Sequence, residues 1–299
     1  MTQSNTPYPF HHDAKPTVEK RDLQAGIYIV ATPLGNLKDI TVRALEILHS
    51  VDLILCEDTR VSRTLLMHYS VSAPLKALHD YNESKLIPSL LIQVQKGKRL
   101  ALISDAGTPL ISDPGYKLVR AALTAGLFIT GLPGPSAVIN ALVLSGLPTH
   151  RFFFAGFLPA KSASRVKDLD NLKKIPGTLI FYESPQRLKE TLQDLQHCFS
   201  MREIVVVREM TKKFEEIIRG SLKEVTDHFQ ESQPRGEIVL LVAPPSEEEN
   251  LWDDETLEKG LRTALKTLSL KDAVQEISLF SGISRKHIYE KALKIQEKT

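Results

Sequence analysis

Cysteine is nearly missing from this chain: its 299 residues contain two, Cys56 and Cys198. A disulfide framework or a zinc site would need more, so neither is expected, and no metal is assigned. Long apolar runs are missing too. No stretch approaches the roughly 20 residues that span a bilayer, and no N-terminal segment resembles a secretion signal. A cytoplasmic protein with no membrane partner is therefore expected. The net charge is only +2, which leaves any nucleic-acid binding to local basic patches. Two phosphate-binding signatures are also absent. No GxGxxG follows a strand-like run, and no glycine-rich loop ends in Gly-Lys-Ser/Thr, so dinucleotide-binding and P-loop readings lose their support.

The rest of the composition is that of an ordinary globular protein, 42% hydrophobic and 25% charged. The length suits two compact domains and an appendage. The chain is organised around residues 104–115, SDAGTPLISDPG, which follow the apolar run LALI at 100–103. Two Ser-Asp-x-Gly tetrads, opening at Ser104 and Ser112, flank Thr108-Pro109. A strand feeding such a loop exposes N–H groups, hydroxyls and carboxylates at its carboxyl edge, where open α/β sheets take their ligands. The alternative is a decorated connection into a helix that starts near Tyr116.

Residues 1–22 are polar, contain Pro7, Pro9, Pro16 and the pair His11-His12, and read as a mobile arm. Residues 26–31 (GIYIVA) form a strand that runs into the turn-rich loop 32–37 (TPLGNL). A helix carrying Ile40, Ala44, Leu45 and Leu48 on one face comes next. The second strand, 52–56 (DLILC), ends in Glu57, Asp58, Thr59 and Arg60. Asp58 or Thr59 can act there simply as a helix cap, and capping is compatible with active-site duty. A helix over 82–95, the turn Lys96-Gly97-Lys98, the central strand, a helix over 116–124 and a strand over 127–131 continue the pattern. Residues 132–137 (LPGPSA) then open a helix running through Leu144. Three loops, each after a strand and before a helix, predict one mostly parallel sheet with a shared rim.

From about residue 148 the texture changes. Strands over 151–158, 177–183, 203–208, 216–219 and 237–243, with a helix over 186–197, predict a second α/β domain. Glu183-Ser184-Pro185 and 208–213 (REMTKK) each end a strand, and each reads equally as a site loop or a solvated turn. Residues 244–255 (PPSEEENLWDDE) read as a linker. Short helices over 256–268, 271–279 and 285–296 follow, with a helix-turn-helix texture around Ser281-Gly282-Ile283. Residues 281–299 hold five Lys/Arg against two Glu. Lys291, Lys294 and Lys298 share a helix face by their spacing, which suits phosphates. The competing reading is a helical cap on the second domain that buries Leu257, Leu261, Leu265 and Leu268. The domain plan is an arm (1–22), two α/β domains (23–147 and 148–245), and a linker with a helical tail (246–299).

Six segments, in order, carry a resemblance: 31–41 (ATPLGNLKDIT), 57–60 (EDTR), 104–115, 132–137, 181–187 (FYESPQR) and 208–216 (REMTKKFEE). Together they closely resemble the ribosomal RNA small subunit methyltransferase I family, in the tetrapyrrole-methylase-like class of S-adenosylmethionine (SAM) methyltransferases. The resemblance spans roughly residues 26–242 and implies two α/β domains with SAM in the cleft between them, plus a helical tail. It also implies methyl transfer to the ribose 2′-hydroxyl of a cytidine in the decoding region of 16S rRNA, with the small ribosomal subunit as partner, and a homodimer. Tetrapyrrole methylases carry GxGPGD in the first loop; TPLGNL stands there in this chain, which favours RNA over a corrin or porphyrin.

By position, the resemblance implies a donor pocket lined by Pro33, Leu34 and Gly35, by Asp105, Ala106, Gly107 and Thr108, and by Pro133, Gly134 and Ser136. Asp58 and Glu183 are candidates for the general base that takes the hydroxyl proton. Arg60 stands with them in the catalytic set, and Arg60, Lys212, Arg285 and Lys286 suit phosphate or ribose contacts. Two rivals keep part of this reading: the same fold acting on a tetrapyrrole or a protein side chain, and a non-catalytic rRNA-binding assembly factor. The intact loops and the acids at Asp58 and Asp105 oppose the second.

Overall fold

The computed structural model describes residues 21–199, 202–230, 234–246, 254–281 and 283–296. Most of the expected arm, including His11-His12, lies outside the described residues, as do residues 247–253 of the expected linker, Gly282 and Lys298.

The first sheet is built from β1 (Gly26–Val30), α1 (Val42–Ser50), β2 (Leu53–Cys56), α2 (Thr59–His68), β3 (Leu75–Ala77), α3 (Glu83–Gln95), β4 (Arg99–Leu102), α4 (Tyr116–Thr124) and β5 (Ile129–Leu132). Its strand order is β3-β2-β4-β1-β5, and every neighbouring pair is parallel. The strands read as short apolar runs because helices cover both faces. Tyr28, Val30, Ile54, Cys56 and Ala101 pack with Ala44, Ile47, Leu48 and Leu66 of α1 and α2. On the other face Ile27, Leu55, Leu100 and Leu102 pack with Leu90, Val94, Leu118 and Ala122 of α3 and α4.

The strand order explains that division. From β1 to β3 the chain steps across the sheet in one direction, and from β3 to β5 it steps back. Right-handed crossovers then place the two helix pairs on opposite faces. Adjacent strands β1 and β4 send their connections to different faces, so the switch point lies at their carboxyl ends. Ile40, expected on the first helix, instead follows a 3-10 turn at Leu37–Asp39 and packs on the same core from outside α1. Thr41 caps α1 by accepting from the Ala44 N–H at 3.1 Å, which starts the helix later.

The second sheet follows α5 (Ala137–Ser145). It contains β6 (Phe152–Phe157), α6 (Ser162–Leu172), β7 (Thr178–Glu183), α7 (Leu188–Cys198), β8 (Glu203–Arg208), β9 (Glu216–Ser221), α8 (Leu222–Gln230) and β10 (Ile238–Val242). Its order is β6-β7-β10-β8-β9, with β6 and β7 parallel and the other pairs antiparallel. Leu169, Phe181, Leu192, Phe199, Val206, Phe229 and Leu240 are in its core.

The tail is α9 (Asp254–Ala264), α10 (Leu270–Ser281) and α11 (Arg285–Gln296). Leu257 and Leu261 are buried, as in the competing reading, but against Val274, Ile277, Ile288 and Ala292 of the tail itself, with Leu265 and Leu268 partly buried there. The tail thus carries a small core of its own.

The chain divides into two compact units, Met1–Asn140 with Glu209–Glu215, and Ala141–Arg208 with Glu216–Thr299. The division between these units falls inside α5. Hydrogen bonds account for it. Asn140 donates to the Met210 sulfur at 3.6 Å in the first unit. In the second, Arg219 donates to the Leu144 and Ser145 carbonyls that end α5. Among the described residues, no helix is long and apolar enough to cross a membrane.

Candidate active site

At the carboxyl edge of the parallel sheet, the loops after β1, β4 and β5 are tied to one another. Thr32 and Gly107 exchange two backbone hydrogen bonds, each 2.9 Å. The Thr32 hydroxyl donates to the Ser104 carbonyl at 3.0 Å, and the Ser104 hydroxyl donates to the Gly107 carbonyl at 3.1 Å. Thr108 then donates to the Pro135 carbonyl at 2.9 Å.

Glycine makes this approach possible at two points. Gly107 has φ +78°, and a Cβ there would lie 3.1 Å from Leu34 Cδ2; a Cβ on Gly134 would lie 2.8 Å from the Ala31 Cβ. Leu110 and Ser112 also have positive φ, 73° and 65°. Such strain persists only where the surroundings over-determine it. The loops carrying Pro33, Leu34 and Gly35, Asp105 to Thr108, and Pro133 to Ser136 are thus brought together in one unit.

The connection from β8 to β9 belongs to the same unit. The Asn36 N–H donates to the Thr211 hydroxyl at 3.2 Å. The stem of Lys212 lies on Gly35, where a Cβ would sit 2.2 Å from Lys212 Cγ and displace that side chain. The Lys212 ammonium pairs with Glu209 at 2.9 Å.

A set of acids occupies the ends of β2 and β4, and the carboxylates differ in kind. Asp58 caps α2 by accepting from the Arg60 N–H at 2.8 Å, and it pairs with the Arg60 guanidinium at 2.6 Å. Hydrogen bonds from Arg60 hold its pKa down, at about 2. The Asp58 N–H donates to Asp105 Oδ1 at 3.2 Å. Burial, followed by the Asp58 charge, raises the Asp105 carboxyl. Glu57 is raised by partial desolvation and then by Asp105, Asp80 and Asp58. Asp113 is pushed up to about 6, first by burial and then by the charges of Glu57 and Asp105, against an opposing hydrogen bond from Ser104.

Asp58 is therefore a helix cap in an ion pair and a weak base, whereas Asp113 is poised near neutrality. Glu57 and Asp113 lie within motifs that stand out in the sequence. Which acid is half-buried depends on packing that the sequence does not display.

Glu183 belongs to the second unit, and its side chain is 1% exposed. It accepts from the Ser184 N–H at 2.7 Å and the Thr191 hydroxyl at 2.6 Å, with Arg187 Nε at 3.4 Å. Both oxygens are engaged around the start of α7, which is a structural arrangement. Arg60, Arg285 and Lys286 are exposed. Lys291 and Lys294 line a groove together with Glu255, Glu258 and Glu290. The expected basic stripe is thus offset locally by acids that the helix spacing could not reveal.

The tetrapyrrole (corrin/porphyrin) methylase family matches residues 26–226. A protein of Mesorhizobium japonicum named ribosomal RNA small subunit methyltransferase I is 42% identical over 282 residues, covering 94% of this chain and 95% of its own. A protein of the same name from Escherichia coli O157:H7 is 45% identical over 277 residues, covering 91% and 96%. The chain belongs to the ribosomal RNA small subunit methyltransferase I family.

It is a methyltransferase of the tetrapyrrole methylase fold, with SAM as methyl donor. Among solved structures, a cobalt precorrin-4 methyltransferase superposes with TM-score 0.56 at 20% identity, over 73% of this chain and 94% of that one. Diphthine synthase superposes with TM-score 0.58 at 14% identity, over 73% and 89%. At those identities the likeness speaks for the fold. The uroporphyrin-III C-methyl transferase of Thermus thermophilus, also similar (TM-score 0.50, 20% identity, 73% and 97% coverage), is complexed with S-adenyl homocysteine.

Proposed function

We propose that this methyltransferase modifies the 2′-hydroxyl of a cytidine in the decoding region of 16S rRNA, acting on the small ribosomal subunit in the cytoplasm. The names of relatives similar over nearly their full length support the RNA acceptor. The observation that carries the chemistry is the set of half-buried acids beside three interlocked strand-end loops.

Pro33, Leu34, Gly35, Asp105, Ala106, Gly107, Thr108, Pro133, Gly134 and Ser136 would hold the donor. The fit rests on glycines that let backbone groups approach closely and on a carboxylate, Asp105, that suits a sulfonium cation. When bound, SAM supplies an already activated methyl group. The protein's task is then mainly to align the acceptor oxygen and to take its proton.

We assign proton removal to the Asp113 carboxylate, in place of Asp58 or Glu183. Asp58 instead holds Arg60 at the rim, where its guanidinium suits a phosphate. Arg285 and Lys286 on the tail add further phosphate contacts, and Lys212 buttresses the loop after β1. The working form is a homodimer, and sedimentation velocity tests that directly.

Single-turnover transfer of labelled methyl from SAM tests the acceptor. Small subunits should accept the label, and a porphyrinoid should not. Transfer to the porphyrinoid alone, or SAM binding without any transfer, would overturn the reading.

A further inference from the structure

The loop Glu209–Glu215 is unusually well fastened. Glu209 and Thr211 adopt left-handed φ of 51° and 63°. The Thr211 N–H donates to the Glu215 carboxylate at 2.6 Å, the Lys212 N–H to the Glu209 carbonyl at 3.0 Å, and the Glu215 N–H to the Lys212 carbonyl at 3.1 Å. Outside the loop, Asn36 holds Thr211, Gly35 seats the Lys212 stem, and Met210 is 7% exposed with its sulfur accepting from Asn140. Every residue from 209 to 212, and the Glu215 carboxylate, is thereby committed to the loop's own structure. Lys213 and Phe214 are left to project.

Phe214 is 66% exposed, and the Lys213 ammonium stands 5.6 Å from its ring centroid. The ring is thus a flat apolar surface held out beside a cation, on a loop whose flanking residues are tied down by hydrogen bonds. One aromatic ring beside one ammonium matches a single nucleotide, which offers a flat apolar base and an adjacent phosphate.

We propose that Lys213 and Phe214 form a docking point for a single-stranded segment of the acceptor RNA, with Phe214 stacking on a nucleobase and Lys213 meeting a neighbouring phosphate. This rests on the reading of the acceptor as rRNA. The tip is seated on the loop after β1, one of the three interlocked loops, so a strand held there lies beside the donor loops. Charge favours this point over Tyr81, another exposed aromatic near the carboxyl edge of the first sheet. Tyr81 is 98% exposed at the end of β3, but Asp80 adjoins it and Glu57 is within electrostatic reach of Asp80, so phosphates are repelled there. The RNA is held at the Lys213–Phe214 tip, and the acids act where the ribose reacts.

Three full-length variants test this: Phe214→Ala, Phe214→Trp and Lys213→Gln. Phe214→Ala should raise KM for small subunits about 5- to 140-fold, the range given by loss of one stacked base, while SAM affinity by calorimetry stays within about twofold. Phe214→Trp should restore KM. Lys213→Gln should raise KM and flatten its dependence on salt.

In a Trp252→Phe background, which removes the only native tryptophan, the Phe214→Trp fluorescence should be quenched by a short single-stranded RNA oligonucleotide. An unchanged KM in Phe214→Ala overturns the proposal, as does fluorescence indifferent to RNA or a changed sedimentation coefficient with KM unaltered. If the wild type fails to methylate subunits, the acceptor reading falls, whereas the quenching experiment still decides the docking point.

Discussion

Replacing Asp113 by Asn separates two accounts of proton removal. With a pKa of about 6, Asp113 is about 97% ionised at pH 7.5 and about 9% ionised at pH 5. If it takes the 2′-hydroxyl proton, the single-turnover rate should be flat above pH 7 and fall about tenfold per unit below pH 6. Asp58, at about 2, stays ionised over that whole range and would impose no inflection. Asp113→Asn should slow transfer by about 10²- to 10⁴-fold, the usual contribution of a positioned general base.

The amide can still meet the Ser104 hydroxyl, so the loop and SAM affinity should persist. Glu57→Gln provides a second handle. It removes one of the charges that raise Asp113, so the inflection should move to lower pH with the plateau rate little altered. The assay is rapid-quench transfer of labelled methyl to saturating small subunits between pH 5 and 8.5. A wild-type profile without an inflection, or Asp113→Asn within a few-fold of the wild type, would refute the assignment.

Gly107→Ala should cost about 1–2 kcal/mol for an L-residue held in the left-handed region. Its Cβ, 3.1 Å from Leu34, should also weaken SAM binding about tenfold by calorimetry. Asp52 accepts from the Arg99 N–H at 2.8 Å, Arg99 Nε at 2.9 Å and Lys98 Nζ at 3.2 Å, joining the starts of β2 and β4. Those hydrogen bonds, chiefly from Arg99, hold its carboxyl well below the usual range. A depressed folded pKa means stability that is fully present above the unfolded value of about 3.9 and lost as pH falls through the folded one. Asp52→Asn should therefore destabilise by about 1.5–3 kcal/mol at pH 7, and urea melts should show the gap shrinking below pH 4. A chain ending at Pro245 should stay folded and bind SAM, because the tail has its own core, but should bind subunits weakly and with a shallower salt dependence. Full-rate methylation across salt concentrations would remove the tail from recognition.

Much of this fold is legible in the sequence because the parallel strands are covered on both faces. Residues 26–31, 53–56 and 100–103 are uninterrupted apolar runs; the first and third stop at glycine- and proline-containing loops, and the second stops at the charged stretch Glu57-Asp58-Thr59-Arg60. The elements that escape reading lack that contrast. β3 is three residues, Leu75–Ala77, all half-buried. In α6 the apolar period is interrupted by Arg165, which is fully buried against Asp194 and the Pro159 and Ala160 carbonyls.

At the candidate site the loops are legible, and the roles within them are not. Asp58, Glu57, Asp105 and Asp113 look alike as letters. A neighbouring guanidinium lowers one, while burial among carboxylates raises the others. Lys212 and Lys213 are adjacent in sequence, yet Gly35 and Glu209 engage the first and leave the second at the tip.

Methyl position in the product tests the central claim most directly. Alkali cleaves RNA only where a free 2′-hydroxyl can attack the adjacent phosphate, so a 2′-O-methyl group leaves an alkali-stable dinucleotide. Small subunits methylated with labelled SAM should yield the label in one such dinucleotide with cytidine at its 5′ side, and none in mononucleotides. Label in a mononucleotide would mean methylation of a base, and label absent from the RNA would mean a different acceptor; either contradicts the account.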